Sequence, residues 1–236
     1  MSQHASNEEV KQYYNQFKAH QKKLGINIRH RTINKRLLAD GINSSSNVLE
    51  IGCGIGTVSH LILKTVTSGK FTGVDISNDS IEIAKEFNKS NQNAEFIVND
   101  MSSFQSNVKY DYIVFPDVLE HIPVENHSAI FDVVTSVSSQ TARIHINIPS
   151  PEFQVWLKSH HPNKMQIIDQ ALDLNKLLEE AKKSGFQVVS LDRYCLHYTY
   201  PDYVYIILNR HLPTVDFQLK SWQKRGTENL LHKVFK

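Results

Sequence analysis

The spacing of apolar residues along the chain changes period several times, and each change marks an element. Ser6-x-x-Glu9 forms a capping box, and Val10, Tyr13, Tyr14 and Phe17 follow on one helical stripe that Gly25 stops. A second helix is expected over Arg29–Ala39, with Ile33, Leu37 and Leu38 turned inward and Gly41 ending it. After the polar joint Ser44-Ser45-Ser46, short apolar runs alternate with helical stripes. Strands are expected at Val48–Ile51, Lys70–Asp75, Glu95–Val98, Tyr112–Phe115, Arg143–Ile148, Phe186–Leu191 and Tyr203–Leu208. Helices are expected at Thr57–Thr67, Ser80–Asn91, Ile130–Val137 and Asp173–Lys183. That alternation predicts an α/β fold, a doubly wound and mostly parallel sheet with helices on both faces.

Two stretches break the pattern. Residues 150–170 are longer than an ordinary connection and read as a functional insertion or lid. Pro151 suits the first turn of a short helix there, carrying Phe153, Trp156 and Leu157. The tail from His211 holds Leu212, Phe217, Trp222, Leu231 and Phe235, too apolar for a free end, so it should pack on the domain or form a homodimer contact. The chain therefore divides into a helical cap (1–44), a central domain (45–210) and a C-terminal extension (211–236).

Composition narrows the class. Of 236 residues, 40% are hydrophobic and 21% charged, which excludes collagen-like and wholly disordered chains. No apolar run reaches the length of a membrane span. Cys53 and Cys195 offer neither a disulfide framework nor zinc-finger spacing, so a cytoplasmic setting is the expectation. The net charge of +2 hides a split: residues 1–36 carry a net of +6, residues 210–236 a net of +4, and the centre a net of −8.

Chemistry concentrates at the strand ends. Glu50-Ile-Gly52-Cys53-Gly54-Ile-Gly56 lies between the first strand and its helix, where glycines let the backbone turn sharply and approach a ligand, and where the helix N-terminus favours an anionic group. Asp75 ends the second strand at the distance that suits a ribose hydroxyl pair. Asp100 follows the third strand as an acceptor for an exocyclic amine, with Met101 to cover a base face, and Asp117 follows the fourth. Acids at successive strand ends line the ligand crevice of an open α/β sheet.

The stretches VLEIGCGIGTVSHLI (48–62), FTGVDIS (71–77), FIVNDM (96–101) and DYIVFPDVLEHI (111–122) resemble the class I S-adenosylmethionine-dependent methyltransferases, over roughly residues 45–210. The resemblance implies a Rossmann-like seven-stranded sheet of order 3-2-1-4-5-7-6 with strand 7 antiparallel, and an N-terminal helical lid. It implies S-adenosyl-L-methionine as cofactor and S-adenosyl-L-homocysteine as product. Glu50, Gly52 and Gly54 would meet the methionine moiety beside Cys53, with Gly56 shaping the turn. Asp75 would take the ribose, Ile76 would flank adenine, and Asp100 and Met101 would hold its edge and face. Phe115 and Pro116 would lie beside the methyl group. Cys53 is expected as a small packed residue rather than a nucleophile.

The acceptor is the open question. A hydroxyl acceptor needs a base near the end of the fourth strand. His121 is the candidate, beside Asp117, with a structural histidine as the other reading; Glu120 reads as a surface or capping acid. His160 and His161 stand as a second candidate base or as exposed loop residues. Tyr14, Arg29, Arg31, Trp156 and Tyr198 are the substrate-binding candidates, the arginines for an anionic group and the aromatics for a sugar-like pocket with Tyr194, His197 and Tyr200. No paired acids follow the fifth strand, so no metal is expected. The expected function is O-methylation of a small-molecule or glycan hydroxyl, the acceptor anionic because the basic ends lie outside the shared fold. N-methylation of a small molecule, RNA methylation and non-catalytic cofactor binding are the alternatives. Nucleic acid is disfavoured because no RNA-binding module accompanies the basic ends.

Overall fold

The computed structural model describes Glu9, Tyr13 and residues 25–210. In chain order these form α1 (Ile28–Ala39), β1 (Val48–Ile51), α2 (Thr57–Ile62), β2 (Phe71–Asp75), α3 (Asn78–Phe87), β3 (Ala94–Val98) and β4 (Tyr110–Pro116). There follow α4 (His127–Val137), β5 (Ser138–Pro149), α5 (Pro151–His160), α6 (Leu174–Lys183), β6 (Gln187–Tyr194) and β7 (Tyr203–Asn209). All seven strands join one sheet of order β3-β2-β1-β4-β5-β7-β6. β1 to β5 pair in parallel, while β7 lies antiparallel between β5 and β6. Both the class and the order match the expectation.

Buried side chains divide into two cores. Ile33 and Leu37 of α1 join Ile62, Phe71, Ile81 and Phe96 in one. Phe115, Phe131, Ile144, Ile146, Ile148, Leu177, Phe186, Val204 and Ile206 form the other, under α4 and α6. The strand period of two explains β5: its isoleucines enter the second core while Arg143, His145 and Asn147 face the opposite side. There Asp40, at the end of α1, pairs with Arg143 and lies 3.0 Å from His145. Tyr205 Oη lies 2.9 Å from the other ring nitrogen of His145. These contacts dock α1 across the antiparallel end of the sheet.

Two expectations change, and two fall outside the described residues. Leu38 is exposed, and His30 is buried in its place, because Ile33, Leu37 and His30 share one helical face and Leu38 lies a residue beyond it. α2 ends at Ile62 rather than Thr67, the backbone N–H groups of Thr67, Ser68 and Gly69 all donating to the Ser44 carbonyl. That short helix offers little dipole to an anion. The N-terminal stripe through Val10, Tyr14 and Phe17, and the tail from His211, lie outside the described residues. No helix among the described residues is long and apolar enough to cross a membrane.

Candidate active site

A cavity of about 670 Å³ opens where β1, β2 and β4 end, and the insertion closes one side of it. The glycine loop forms its floor. Gly52 has φ +72°, and a Cβ there would lie 2.2 Å from Val118 Cγ2. Gly56, at φ +80°, begins α2, where a Cβ would meet Asn88 Nδ2 at 2.6 Å. Both positions therefore exclude side chains on conformation and on space. Gly54 donates its N–H to Asp75 Oδ2 at 2.8 Å, and Ser77 N–H reaches Oδ1 at 2.9 Å. Burial raises the Asp75 carboxyl above its ordinary range, and these backbone bonds pull it back. Cys53 is buried and its thiol is pushed well up by desolvation, so it is no nucleophile at neutral pH.

Glu50 is fully buried and its Oε2 accepts the Ser59 hydroxyl at 2.6 Å, whereas Oε1 has no hydrogen-bond partner among the described residues. Desolvation pushes this acid up to about 8, against the pull of Ser59. Ile76, Asp100 and Met101 complete this wall. Asp100 is exposed and held low by its bonds to Ser102. Met101 is buried at φ +66°, its N–H donated to Asn99 Oδ1 at 2.7 Å. A non-glycine residue in this left-handed region is uncommon and marks a site held by its surroundings. Phe115 and Gly56 depart from the expected set: neither lines the cavity, Gly56 only shaping the turn and the Phe115 ring packing against Phe131 in the second core. Strand alternation points Phe115 away from the face that Pro116 reaches.

The opposite wall comes from α1, the end of β4 and the insertion. Asn27 caps α1 by accepting His30 N–H at 3.2 Å, and His30 Nδ1 accepts Asn27 N–H in return. This reciprocal cap aims Arg29 at the cavity. Its Nε lies 2.8 Å from Asp117 Oδ2, and its Nη1 donates to Tyr203 Oη at 3.5 Å. Asp117 has φ +60°, and its other oxygen accepts Asn147 Nδ2 at 2.7 Å. Tyr194 then donates to Asn147 Oδ1 at 2.6 Å. Asp117 is thus an anchored acid, its charge met by Arg29.

Past Asp117 the chain makes a single 3-10 turn, Leu119–His121. The buried His127 ring fixes it, with Nε2 3.0 Å from both the Leu119 and the Ile122 carbonyls. His121 lines the cavity with Nδ1 2.7 Å from the Ile168 carbonyl, so Nδ1 carries the proton and donates. In the neutral ring Nε2 then keeps its lone pair, and it lies 3.7 Å from Glu120 Oε1. Burial lowers the His121 pKa, opposed by the charge of Asp169 and the bond to Ile168. Glu120 corrects the sequence expectation. Only 1% exposed, it is no surface acid: it lines the cavity and neither carboxylate oxygen has a hydrogen-bond partner among the described residues. Burial, then the nearby Asp117 charge, pushes its pKa well up.

Other expected residues fall elsewhere. His160 and His161 do not line the cavity; both rings pack on Trp156, at centroid distances of 4.9 and 5.3 Å. Trp156 and Tyr198 are exposed and lie beyond the wall, each contacting Phe153, which does line it. Helical phase turns one face of α5 inward through Phe153, Gln154 and Leu157 and the rest outward. Arg31 is exposed and outside the cavity, whereas Arg29 lines it. Tyr14 lies outside the described residues. Sequence reading missed Asp169, Gln154, Asn147 and Tyr203. The three-residue spacing of Asp117 and Glu120 in one turn was the available signal for Glu120. Among the described residues no group of three or more His, Cys, Asp or Glu has the geometry to hold a metal.

The strand order, the glycine loop after β1 and the acids ending β2 and β3 define a class I S-adenosylmethionine-dependent methyltransferase. The chain belongs to the family described as a methyltransferase domain, which it matches over residues 42–209. It is 37% identical over 90 residues to malonyl-[acyl-carrier protein] O-methyltransferase 2 of Ilyobacter polytropus, covering 38% of this chain and 34% of that protein. It is 29% identical over 98 residues to demethylmenaquinone methyltransferase of Staphylococcus aureus, covering 40% of each. The matched stretch thus spans about a third of the first of these relatives. Among solved structures, magnesium protoporphyrin IX methyltransferase from Synechocystis PCC 6803 with bound SAH superposes with a TM-score of 0.66 at 20% identity, over 87% of this chain and 99% of that one. The residues present fit the cofactor. Glu50 Oε1, buried and without a hydrogen-bond partner among the described residues, is a carboxyl oxygen that a cation or donor of the cofactor would satisfy.

Proposed function

We propose that this methyltransferase methylates a hydroxyl group of a small molecule, most simply a sugar or glycan unit, with His121 as the general base. Glu50, Gly52, Cys53 and Gly54 would hold the methionine end of the cofactor, with Gly56 shaping the turn, and Asp75, Ile76, Asp100 and Met101 its nucleoside end. When bound, S-adenosylmethionine supplies a methyl group already activated on a sulfonium. What remains for the protein is to align the acceptor and to take its proton.

The observation that carries this reading is the fixed His121 ring, Nδ1 donated to Ile168 and the ring exposed to the cavity. A lowered pKa keeps it neutral, and therefore basic, at ordinary pH. Arg29 is already paired with Asp117, which favours an uncharged acceptor over the anionic one expected from the basic ends. Phe153 in the wall continues outward to Trp156 and Tyr198, aromatic faces that suit the C–H face of a sugar ring.

Release of S-adenosylhomocysteine across a panel of monosaccharides, nucleotide sugars and phenols tests the proposal. On an accepted hydroxyl substrate, His121→Ala should lower turnover by about 10²-fold or more, with affinity for S-adenosylhomocysteine retained. Undiminished turnover would remove His121 as the base. Cofactor binding with no turnover on any acceptor would favour a non-catalytic protein.

A further inference from the structure

The insertion does more than wall the cavity. Residues 166–170 grip the turn that carries His121. The Ile168 carbonyl accepts Nδ1 at 2.7 Å. Gln170 N–H donates to the Glu120 carbonyl at 3.0 Å, and its side-chain amide to the Ile122 carbonyl at 2.8 Å. Between Ile168 and Gln170 stands Asp169, whose side chain is 7% exposed and whose Oδ1 lies 4.0 Å from His121 Nδ1. That distance is too long for a hydrogen bond but short enough for strong charge coupling in a buried site.

Asp169 is itself held. The buried Gln154 on α5 donates its amide to Asp169 Oδ1 at 2.6 Å, and Gln166 N–H donates to Oδ2 at 3.2 Å. Two parts of one insertion therefore fix a carboxylate beside the Nδ1 edge of the ring, opposite the edge that faces Glu120.

We propose that Asp169 is a positioning residue that acts on His121 through its charge, stabilising the cation formed once His121 has taken the acceptor's proton. The inference rests on His121 being the base. In that step the acceptor's O–H bond breaks toward Nε2. Its oxygen forms the new C–O bond as the donor's S–C bond breaks, the electron pair staying on sulfur. The imidazolium then returns its proton to water. Other groups face the ring as well: Glu120 on its own turn, Asp117 from the end of β4 and Arg29 from α1. Arg29 opposes protonation, while Asp117 and Asp169 favour it. Burial, and after it the Asp169 charge, raises the phenol pKa of Tyr13.

The test reads the ring directly and needs no acceptor. The full chain is labelled with ¹⁵N in the histidine rings, and His121→Gln identifies the His121 signals. The parent should show the Nδ1–H tautomer. In Asp169→Asn the His121 midpoint should fall by about one pH unit or more, and Asp169→Glu should restore most of the shift. Gln154→Leu leaves the charge in place but unfixed, and should lower the midpoint by a smaller amount. It serves as the readout if Asp169→Asn does not fold. A midpoint unmoved in Asp169→Asn, or in Gln154→Leu where only that variant folds, overturns the assignment of Asp169 and leaves the base untouched. Undiminished turnover in His121→Ala overturns the base and this inference together.

Discussion

The two walls of the cavity carry similar acids and differ in what holds them. Under β1 to β3, Glu50 is held by a serine nine residues on and Asp75 by the backbone of Gly54 and Ser77. Ser59 and Gly54 flank the turn that follows β1, and Ser77 lies two residues past Asp75. Across the cavity, Asp117 depends on Arg29 from α1 and on Asn147, 30 residues away. His121 depends on Ile168, 47 residues away. One wall is built around the glycine loop and the strand ends beside it, and the other is assembled from more distant segments. The first can be shared by any chain of the class. The second is where acceptors would be distinguished, because its members come from separate segments of the chain.

The largest effect is expected where the two walls touch. Gly52→Val places a β-branched side chain at φ +72° and drives its Cβ into Val118, a residue of the acceptor wall. Binding of S-adenosylhomocysteine, followed by calorimetry, should be lost. Gly52→Ala combined with Val118→Ala removes the steric overlap and keeps the backbone strain, so it should regain part of the affinity. If Gly52→Val binds like the parent, the loop is not a fixed template and the contrast between the walls fails.

A smaller effect is expected on the assembled wall. Arg29→Met leaves the Asp117 carboxylate, 7% exposed, without its counter-ion. Because Arg29 is itself one-third exposed, the expected loss is about 1–3 kcal/mol, below that of a fully buried pair. Adding Asp117→Asn keeps a residue that tolerates the left-handed backbone and removes the stranded charge, so the double variant should unfold at a higher urea midpoint than Arg29→Met alone. A double variant that is no better would mean that the ion pair is not what holds this wall.

The same contrast explains what the sequence disclosed. Strand runs, the E-x-G-x-G-x-G loop and the acids at Asp75 and Asp100 are local patterns, and they foretold the sheet and one lining of its cavity. Helical period alone could not decide between Leu38 and His30 on α1, since the reciprocal cap with Asn27 sets the phase. Nor could it show that His160 and His161 stack on the outer Trp156 while Gln154 on the same helix turns inward. Arg29 was singled out for its charge, but its partner, Asp117, is a tertiary fact. Glu120 was mistaken for a surface acid because its neighbours in sequence are not its neighbours in space.

The smallest effect separates the walls by protonation. Glu50 titrates near 8 in the fold, against an ordinary value of 4.5, because it is desolvated. Between those values the folded chain holds a proton that the unfolded chain has released, so the contribution of Glu50 to stability falls as pH rises across that window. Glu50→Gln has no such proton. Without cofactor, its melting temperature relative to the parent should climb by a few degrees from the acid to the alkaline side of the window. The buried histidines give the opposite slope: His30 and His145, lowered to about 4 and about 3, withdraw stability as pH falls below their ordinary 6.5. Taking the difference between Glu50→Gln and the parent cancels them. Glu120→Gln should show the same sign, since its acid is also raised by burial. A flat difference for Glu50 with a rising one for Glu120 would mean that the cofactor wall keeps its acid ionised and only the acceptor wall stores a proton.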